Sequence, residues 1–280
     1  MELKVTEYSI NNRVGVVRLK RPDRGNSWTT RMNAEYRYLM AMLDDDPEVH
    51  VIVVTGAGRQ FCVGADFKAL DHYEKSDADY ATSFKPDEMA QPGHGVNPEY
   101  DHELVWHWGM KKTVIAAING ACAGIAVALA AFCDLRYAVE GAKFTTATPR
   151  MGLPAEYGLS WILPRLVGLT RSADILLSGR IFKSEEAFAM GYLNGVFPAE
   201  DFEASVMKVA QELADTVSPI AAKTAKRQLY GEQLSVRVGQ SIEDSKQLIG
   251  QLMKHSDFSE GLSAMKEKRQ PRFKGLGAGD

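Results

Sequence analysis

The spacing of apolar residues changes character several times along this chain, and each change predicts a different element. Val14-Gly15-Val16-Val17-Arg18-Leu19 is β-branched and alternating, which predicts a strand. Met32, Tyr36, Leu39, Met40 and Leu43 then recur at helical spacing, with Thr29 as the capping residue. From Val49 to Thr55 the chain is almost entirely aliphatic and ends in Gly56-Ala57-Gly58, the pattern of a strand buried on both faces. Residues 71–100 are polar and hold Pro86, Pro92, Gly93, Gly95 and Pro98, so a loop or short helices are expected there. Val114 to Ile118 reads as a second buried strand, turning at Asn119-Gly120 into a small-residue helix from about Gly124 to Phe132 and a strand over Asp134 to Val139. After Pro164 the period is helical. Phe202, Val206, Val209 and Leu213 share one helix face, Ser218-Pro219 opens another helix, and Phe258, Leu262 and Met265 stripe the last.

Mixed β and α for about two hundred residues, then helices alone, predict an α/β core over 1–200 and a helical region over 201–280. That region would pack on itself or on another subunit; one α/β domain with a long helical tail fits the same pattern. The 280 residues are 45% hydrophobic and 25% charged, ordinary for a globular protein with a sizeable core. A net charge of −3 supplies no global field for nucleic acid or anionic membrane. The longest apolar run, Ile115 to Leu135, is broken by Asn119, Gly120 and Gly124 and suits a buried core better than a membrane span. The start, Met1-Glu2-Leu3-Lys4, has no apolar stretch after it, so no signal peptide is expected. Cys62, Cys122 and Cys133 are odd in number and too scattered for a disulfide framework or a zinc site, which points to reduced thiols, a cytoplasmic setting and no metal.

Two segments offer chemistry. Gly58-Arg59-Gln60-Phe61-Cys62-Val63-Gly64-Ala65-Asp66-Phe67-Lys68 follows a buried strand, and its glycines can leave backbone N–H groups aimed at a ligand. It is no dinucleotide fingerprint, because Phe61 stands where the third glycine is required. A plain strand-turn-helix connection with Asp66 as cap explains it equally. Ile118-Asn119-Gly120-Ala121-Cys122-Ala123-Gly124-Ile125-Ala126 is again strand, turn and helix start, and a helix N-terminus offers free N–H donors to a developing oxyanion. Close packing through small residues is its alternative reading.

Together the two segments resemble the signature loops of the crotonase (enoyl-CoA hydratase/isomerase) family, F-x-x-G-A-D and A-x-x-N-G-x-x-x-G-x-G. The similarity continues through Cys133-Asp134-Leu135-Arg136, Gly152-Leu153-Pro154, Leu163-Pro164-Arg165-Leu166-Val167-Gly168, Leu177-Ser178-Gly179-Arg180, Glu260-Gly261-Leu262-Ser263-Ala264 and Glu267-Lys268-Arg269. Ordered matches thus run from Arg21-Pro22 to Phe273. The resemblance implies a ββα-spiral core, an acyl-CoA thioester as substrate, and two backbone donors to its carbonyl, the amides of Ala65 and Ile125. One such donor is worth about 3 kcal/mol of barrier. Ile125 stands where the family usually has glycine, and its β-branched side chain narrows the site.

Hydratases that resemble this chain use two glutamates. Position by position these fall at Ala128 and Thr148, neither of which can act as a carboxylate. The remaining candidate is Glu156, at the place of the catalytic aspartate in dienoyl-CoA isomerases of the family. In an apolar setting near Leu153, Trp161 and Ile162 it would carry a raised pKa and shuttle a proton; a first-turn glutamate favoured by the helix dipole is the alternative. One carboxylate fits double-bond isomerisation better than hydration, while thioester hydrolysis, decarboxylation and non-catalytic acyl-CoA binding stay open. Tyr157, Asp66, Cys62, Cys122, His94, His102 and His107 are expected to pack, cap or lie in solvent.

By the same resemblance, Lys68 and Lys268 approach the phosphates of coenzyme A, which arrives as part of the substrate and not as a prosthetic group, while Ala65 lies in the loop that holds it. Met265 and Ile249 replace the aromatic contacts to the adenine. Lys223, Lys226 and Arg227 read as a solvated basic helix face. The family's assembly through C-terminal helices implies a homotrimer or hexamer.

Overall fold

The computed structural model describes residues 1–66, 89–234, 248–249, 251 and 253–276. Its centre is a six-stranded sheet of β1 (Thr6–Asn11), β2 (Val14–Leu19), β3 (Val51–Gly56), β4 (Thr113–Ile118), β6 (Leu135–Val139) and β9 (Gly195–Phe197), lying side by side in that order. Only the β1–β2 pair is antiparallel; the register then runs in parallel through Val16↔Val53, Val53↔Ile115 and Ile115↔Leu135. A smaller sheet places β7 (Lys143–Thr145) between β5 (Cys122–Ala123) and β8 (Phe182–Lys183).

The near-continuous aliphatic runs of β2 to β4 follow from burial on both faces. On one face, Val17, Leu19, Ile52, Val54, Val114, Ala116 and Ile118 join a core with α1 (Thr30–Asp45) and α2 (Ile125–Phe132). The Thr29 hydroxyl accepts from Met32 N and caps α1, and Met32, Tyr36, Leu39, Met40 and Leu43 are all buried. On the other face, Val14, Val16, Val51, Val53, Ile115 and Ala117 meet Phe202, Val206, Ala210 and Ala214 of α6 (Phe202–Thr216). Ion pairs Arg18–Glu203 and Arg13–Asp215, each 2.6 Å, tie α6 to β2 and to the β1–β2 turn. The first helix of the predicted helical region is therefore a layer of the sheet.

In chain order, α3 (Leu159–Val167) and α4 (Leu169–Ser178) precede β8, and α5 (Ser184–Ala189) follows it. Pro164 lies inside α3, so that helix begins before the proline and not after it. Next comes α7 (Pro219–Glu232), capped by Ser218 as expected, and then α8 (Ser256–Glu267). The basic-face reading of α7 is corrected at two positions. Lys223 and Lys226 are 7% exposed, and Lys226 Nζ donates to the Lys112 carbonyl at 2.9 Å and to Asp134 Oδ2 at 2.8 Å. The Tyr230 hydroxyl donates to the other Asp134 oxygen at 2.8 Å. A lysine at helical spacing gives no sign of such a distant carboxylate. Among the described residues no helix is long and apolar enough to cross a membrane.

Candidate active site

The two glycine-bearing loops lie against each other where the parallel strands end. Cys62 and Cys122 form a parallel bridge, with Cys62 N donating to the Ala121 carbonyl and Ala123 N to that of Cys62. Side-chain amides clamp the same loops. Asn119 Nδ2 donates to the Gly56 and Gly58 carbonyls at 2.9 Å each, and its Oδ1 accepts from Gly56 N at 3.1 Å. Buried Asn26 donates to the carbonyls of Ala57 and Gln60, while Gln60 Oε1 accepts from Ala121 N. Reading the sequence missed Asn26 altogether and took Asn119 only as a turn residue. An asparagine beside a glycine signals a turn, but nothing local signals a reach of sixty residues.

Ala65 bridges Trp28: Trp28 N donates to the Gly64 carbonyl at 2.7 Å and Asp66 N to the Trp28 carbonyl at 3.0 Å. In a parallel bridge of this kind the central residue's own N–H points away from its partner. Asp66 Oδ2 accepts from Arg21 Nη2 at 2.8 Å and Ser27 Oγ at 3.0 Å, which fixes the peptide on the far side. Ile125 is the first residue of α2, where backbone donors have no intrahelical partner. Gly124 before it adopts φ 54°, ψ −124°, a conformation open to glycine, and so turns the chain into the helix while Ile125 keeps helical angles. Among the described residues, neither the Ala65 nor the Ile125 amide donates to a protein acceptor. The two donors therefore follow Gly64 and Gly124, which lie close enough that a methyl built on Gly124 would stand 3.7 Å from Gly64 Cα.

Glu156 sits in the turn before α3, where Tyr157 and Gly158 are consecutively left-handed at φ 48° and 71°. It is half-buried, and among the described residues its carboxylate has no hydrogen-bond or ion-pair partner. Burial alone raises its pKa above the ordinary 4.5. Gly158 packs against Phe132 at the far end of α2, and Tyr157, Gly158, Phe132, Trp108 and Trp161 line a cavity of about 370 Å³. Ala128 is fully buried within α2, and Thr148 is buried with a hydroxyl that has no partner among the described residues.

The remaining candidates separate clearly. Cys62 and Cys122 are buried free thiols; burial pushes Cys62 up to about 12 and Cys122 well above its usual value, so both are space-filling and unreactive. His107, expected near solvent, is fully buried, accepts from the Tyr36 hydroxyl at Nε2 (2.7 Å) and donates from Nδ1 to the Leu104 carbonyl. His94 meets Arg37 Nη2, and His102 lines the aromatic cavity. Lys268 is exposed and left-handed (φ 54°) just past α8, where Arg269 N donates back to the Ala264 carbonyl. Lys68 lies outside the described residues. Ile249 is exposed. Among the described residues no cluster of three or more His, Cys, Asp or Glu side chains is placed to hold a metal ion.

Relatives match almost end to end. A protein of Rhodobacter capsulatus named a probable enoyl-CoA hydratase is 32% identical over 98% of this chain and 100% of its own. The mitochondrial enoyl-CoA hydratase of Pongo abelii is 27% identical over 94% of this chain and 84% of its own. Among solved structures, a probable enoyl-CoA hydratase/isomerase from Mycobacterium abscessus superposes with a TM-score of 0.83 at 30% identity, covering 97% of this chain and 99% of that one. The sequence model of the enoyl-CoA hydratase/isomerase family matches residues 9–276, and with this fold and these two loops the chain belongs to that family, the crotonases.

Proposed function

We propose that this protein is an acyl-CoA enzyme that stabilises a thioester enolate with the Ala65 and Ile125 amides and moves the proton with Glu156. The observation that carries the reading is the pair of backbone donors, next to the facing Gly64 and Gly124, that have no acceptor among the described residues. Their directions are set by hydrogen bonds of the neighbouring peptides, so little reorganisation is needed when charge develops on the thioester oxygen. Glu156 is a half-buried carboxylate with no partner among the described residues, on the Phe132 side of α2, and its raised pKa suits both taking up and returning a proton. Hydration requires one group to activate water and a second to deliver a proton. Ala128 and Thr148 supply neither, so double-bond isomerisation is the favoured reaction.

Coenzyme A is carried in by the substrate, with Lys268 and Lys68 as candidates for its phosphates, and no prosthetic group takes part. Phe258 and Leu262 of α8 are exposed at 44% and 43%, which supports assembly into a homotrimer or hexamer. The three free cysteines suit a reducing, cytoplasmic setting.

The test is incubation with saturated, 2-enoyl, 3-enoyl and dienoyl-CoA thioesters in deuterated water, followed by mass spectrometry and ultraviolet absorbance. Deuterium at the carbon beside the thioester, or a moved double bond, is expected. Hydrated product would show that other groups replace the missing glutamates. Free coenzyme A or carbon dioxide would select hydrolysis or decarboxylation, and binding without change would favour a protein that kept the site and lost the chemistry.

A further inference from the structure

The cavity lined by Tyr157 and Gly158 is walled by two tryptophans and has two glutamates among its lining residues. Trp108 is 2% exposed and stacks on Tyr230 with 4.5 Å between centroids and 5° between planes. Tyr230 is itself held by Asp134, which Lys226 also bonds. Trp161 lies under the Arg165 guanidinium, 3.7 Å from the ring centroid, while Arg165 Nη1 donates to the Trp161 carbonyl. The indole centroids are 5.7 Å apart with planes at 54°, and Phe132 meets Trp108 edge-on at 5.2 Å. Glu99 and Glu103 stand at the same cavity. Glu103 Oε2 accepts from Arg37 at 3.2 Å, and the Asn33 side chain also stands by the same carboxylate.

Ile125 and Phe132 are the two ends of one eight-residue helix, so the cavity begins about 10 Å along α2 from the Ile125 amide. With the thioester carbonyl at that amide, an acyl chain directed along α2 would reach these rings. Flexible chains need only apolar surface, whereas indole planes pinned from behind favour a flat partner that stacks offset or meets them edge-on. The exposed Glu99 carboxylate at this cavity repels another carboxylate, while the charge of Glu103 is partly offset by its ion pair with Arg37.

We infer that this cavity selects acyl-CoA thioesters whose acyl group ends in a flat, uncharged ring, and discriminates against those ending in a carboxylate. The inference rests on the reading of the protein as an acyl-CoA enzyme, but its test measures affinity and needs no turnover. Saturated CoA thioesters of three kinds, matched in chain length, are titrated calorimetrically into the full-length protein: phenyl-terminated, linear, and ω-carboxylated. The phenyl-terminated ligand is expected to bind roughly tenfold more tightly than the linear one, and the ω-carboxylated ligand most weakly. Trp161→Ala should remove the ring preference and leave linear-chain affinity within about twofold. Glu99→Lys, at an exposed position, should strengthen binding of the ω-carboxylated ligand alone.

Equal affinities for ring and linear chains, or a Trp161→Ala loss common to both, would overturn the inference while leaving the enzyme reading intact. Ring preference without deuterium exchange on any thioester would uphold the cavity and overturn the chemistry. No binding by any thioester would overturn both.

Discussion

Gly64 and Gly124 face each other across the two loops: a methyl built on Gly124 would stand 3.7 Å from Gly64 Cα, and one on Gly64 would stand 3.3 Å from the Ala123 carbonyl oxygen and 3.9 Å from Gly124 N. Space is therefore not the main obstacle at Gly124; its backbone angles are. Gly124→Ala is expected to cost about 1–3 kcal/mol, read from urea unfolding, because the new side chain disfavours φ 54°, ψ −124°. If the Ile125 amide is an oxyanion donor, thioester deuterium exchange should also fall by tenfold or more, since the displaced peptide is the one that aims it. Normal exchange in a folded variant would detach this amide from the chemistry.

Glu156 gives a prediction in pH. Its carboxyl is raised above 4.5 by burial alone, and as a base it works only when ionised. Exchange should therefore climb with pH through a midpoint above 4.5, and Glu156→Gln should lower it by about a hundredfold or more. The unfolding midpoint of that variant should stay close to the parent, because among the described residues the carboxylate makes no hydrogen bond that is lost. A midpoint at or below 4.5, or undiminished exchange, would place proton transfer elsewhere.

These residues also show how far the sequence could be read. Strands with unbroken aliphatic runs and helices with clear period were legible, as were the Thr29 and Ser218 caps, because each is written in a few adjacent residues. The strands Phe182–Lys183 and Gly195–Phe197 are two and three residues long, too short for a period, and exist only through their partners. The side-chain surroundings were the hardest part. Lys226 reads as surface until Asp134 is folded beneath it, and His107 reads as loop until Tyr36 covers it. Ala65 and Ile125 were placed by family motif alone, and only the bonds of Trp28 and Asp66 explain why the Ala65 amide is left over.

The Lys226–Asp134–Tyr230 group is a second kind of test, of stability. Asp134 Oδ2 accepts from Lys226 and also from Val114 N at 2.7 Å, so removing the lysine leaves a part-buried carboxylate with only neutral donors. Lys226→Met is expected to destabilise by about 3 kcal/mol and Tyr230→Phe by about 1–2 kcal/mol in urea unfolding. The double variant should lose less than the sum, since both act on one carboxylate. Strict additivity would mean that Asp134 does not couple them.

His107 sets the last expectation, a slope of stability against pH. It is buried against Tyr36 and Leu104, with Lys226 and Arg37 near enough to oppose a positive charge, and burial first and these cations second bring its pKa down to about 3 from 6.5. As pH falls below 6.5 the unfolded chain binds a proton that the native imidazole refuses, so this group's share of stability is lost progressively between about 6.5 and 3. The slope from one such site reaches at most about 1.4 kcal/mol per pH unit. Carboxylates raised by burial, Asp44 and Glu103 among them, work in the opposite direction, so the total slope does not isolate the histidine. His107→Gln does isolate it: a glutamine amide can accept from Tyr36 and donate to Leu104 but cannot titrate. Unfolding in urea at pH 7, 6 and 5 should show the gap between parent and variant change steadily in the variant's favour as pH falls. Parallel curves would mean that His107 takes up its proton in the native state too, and that the Tyr36 hydroxyl turns away to allow it.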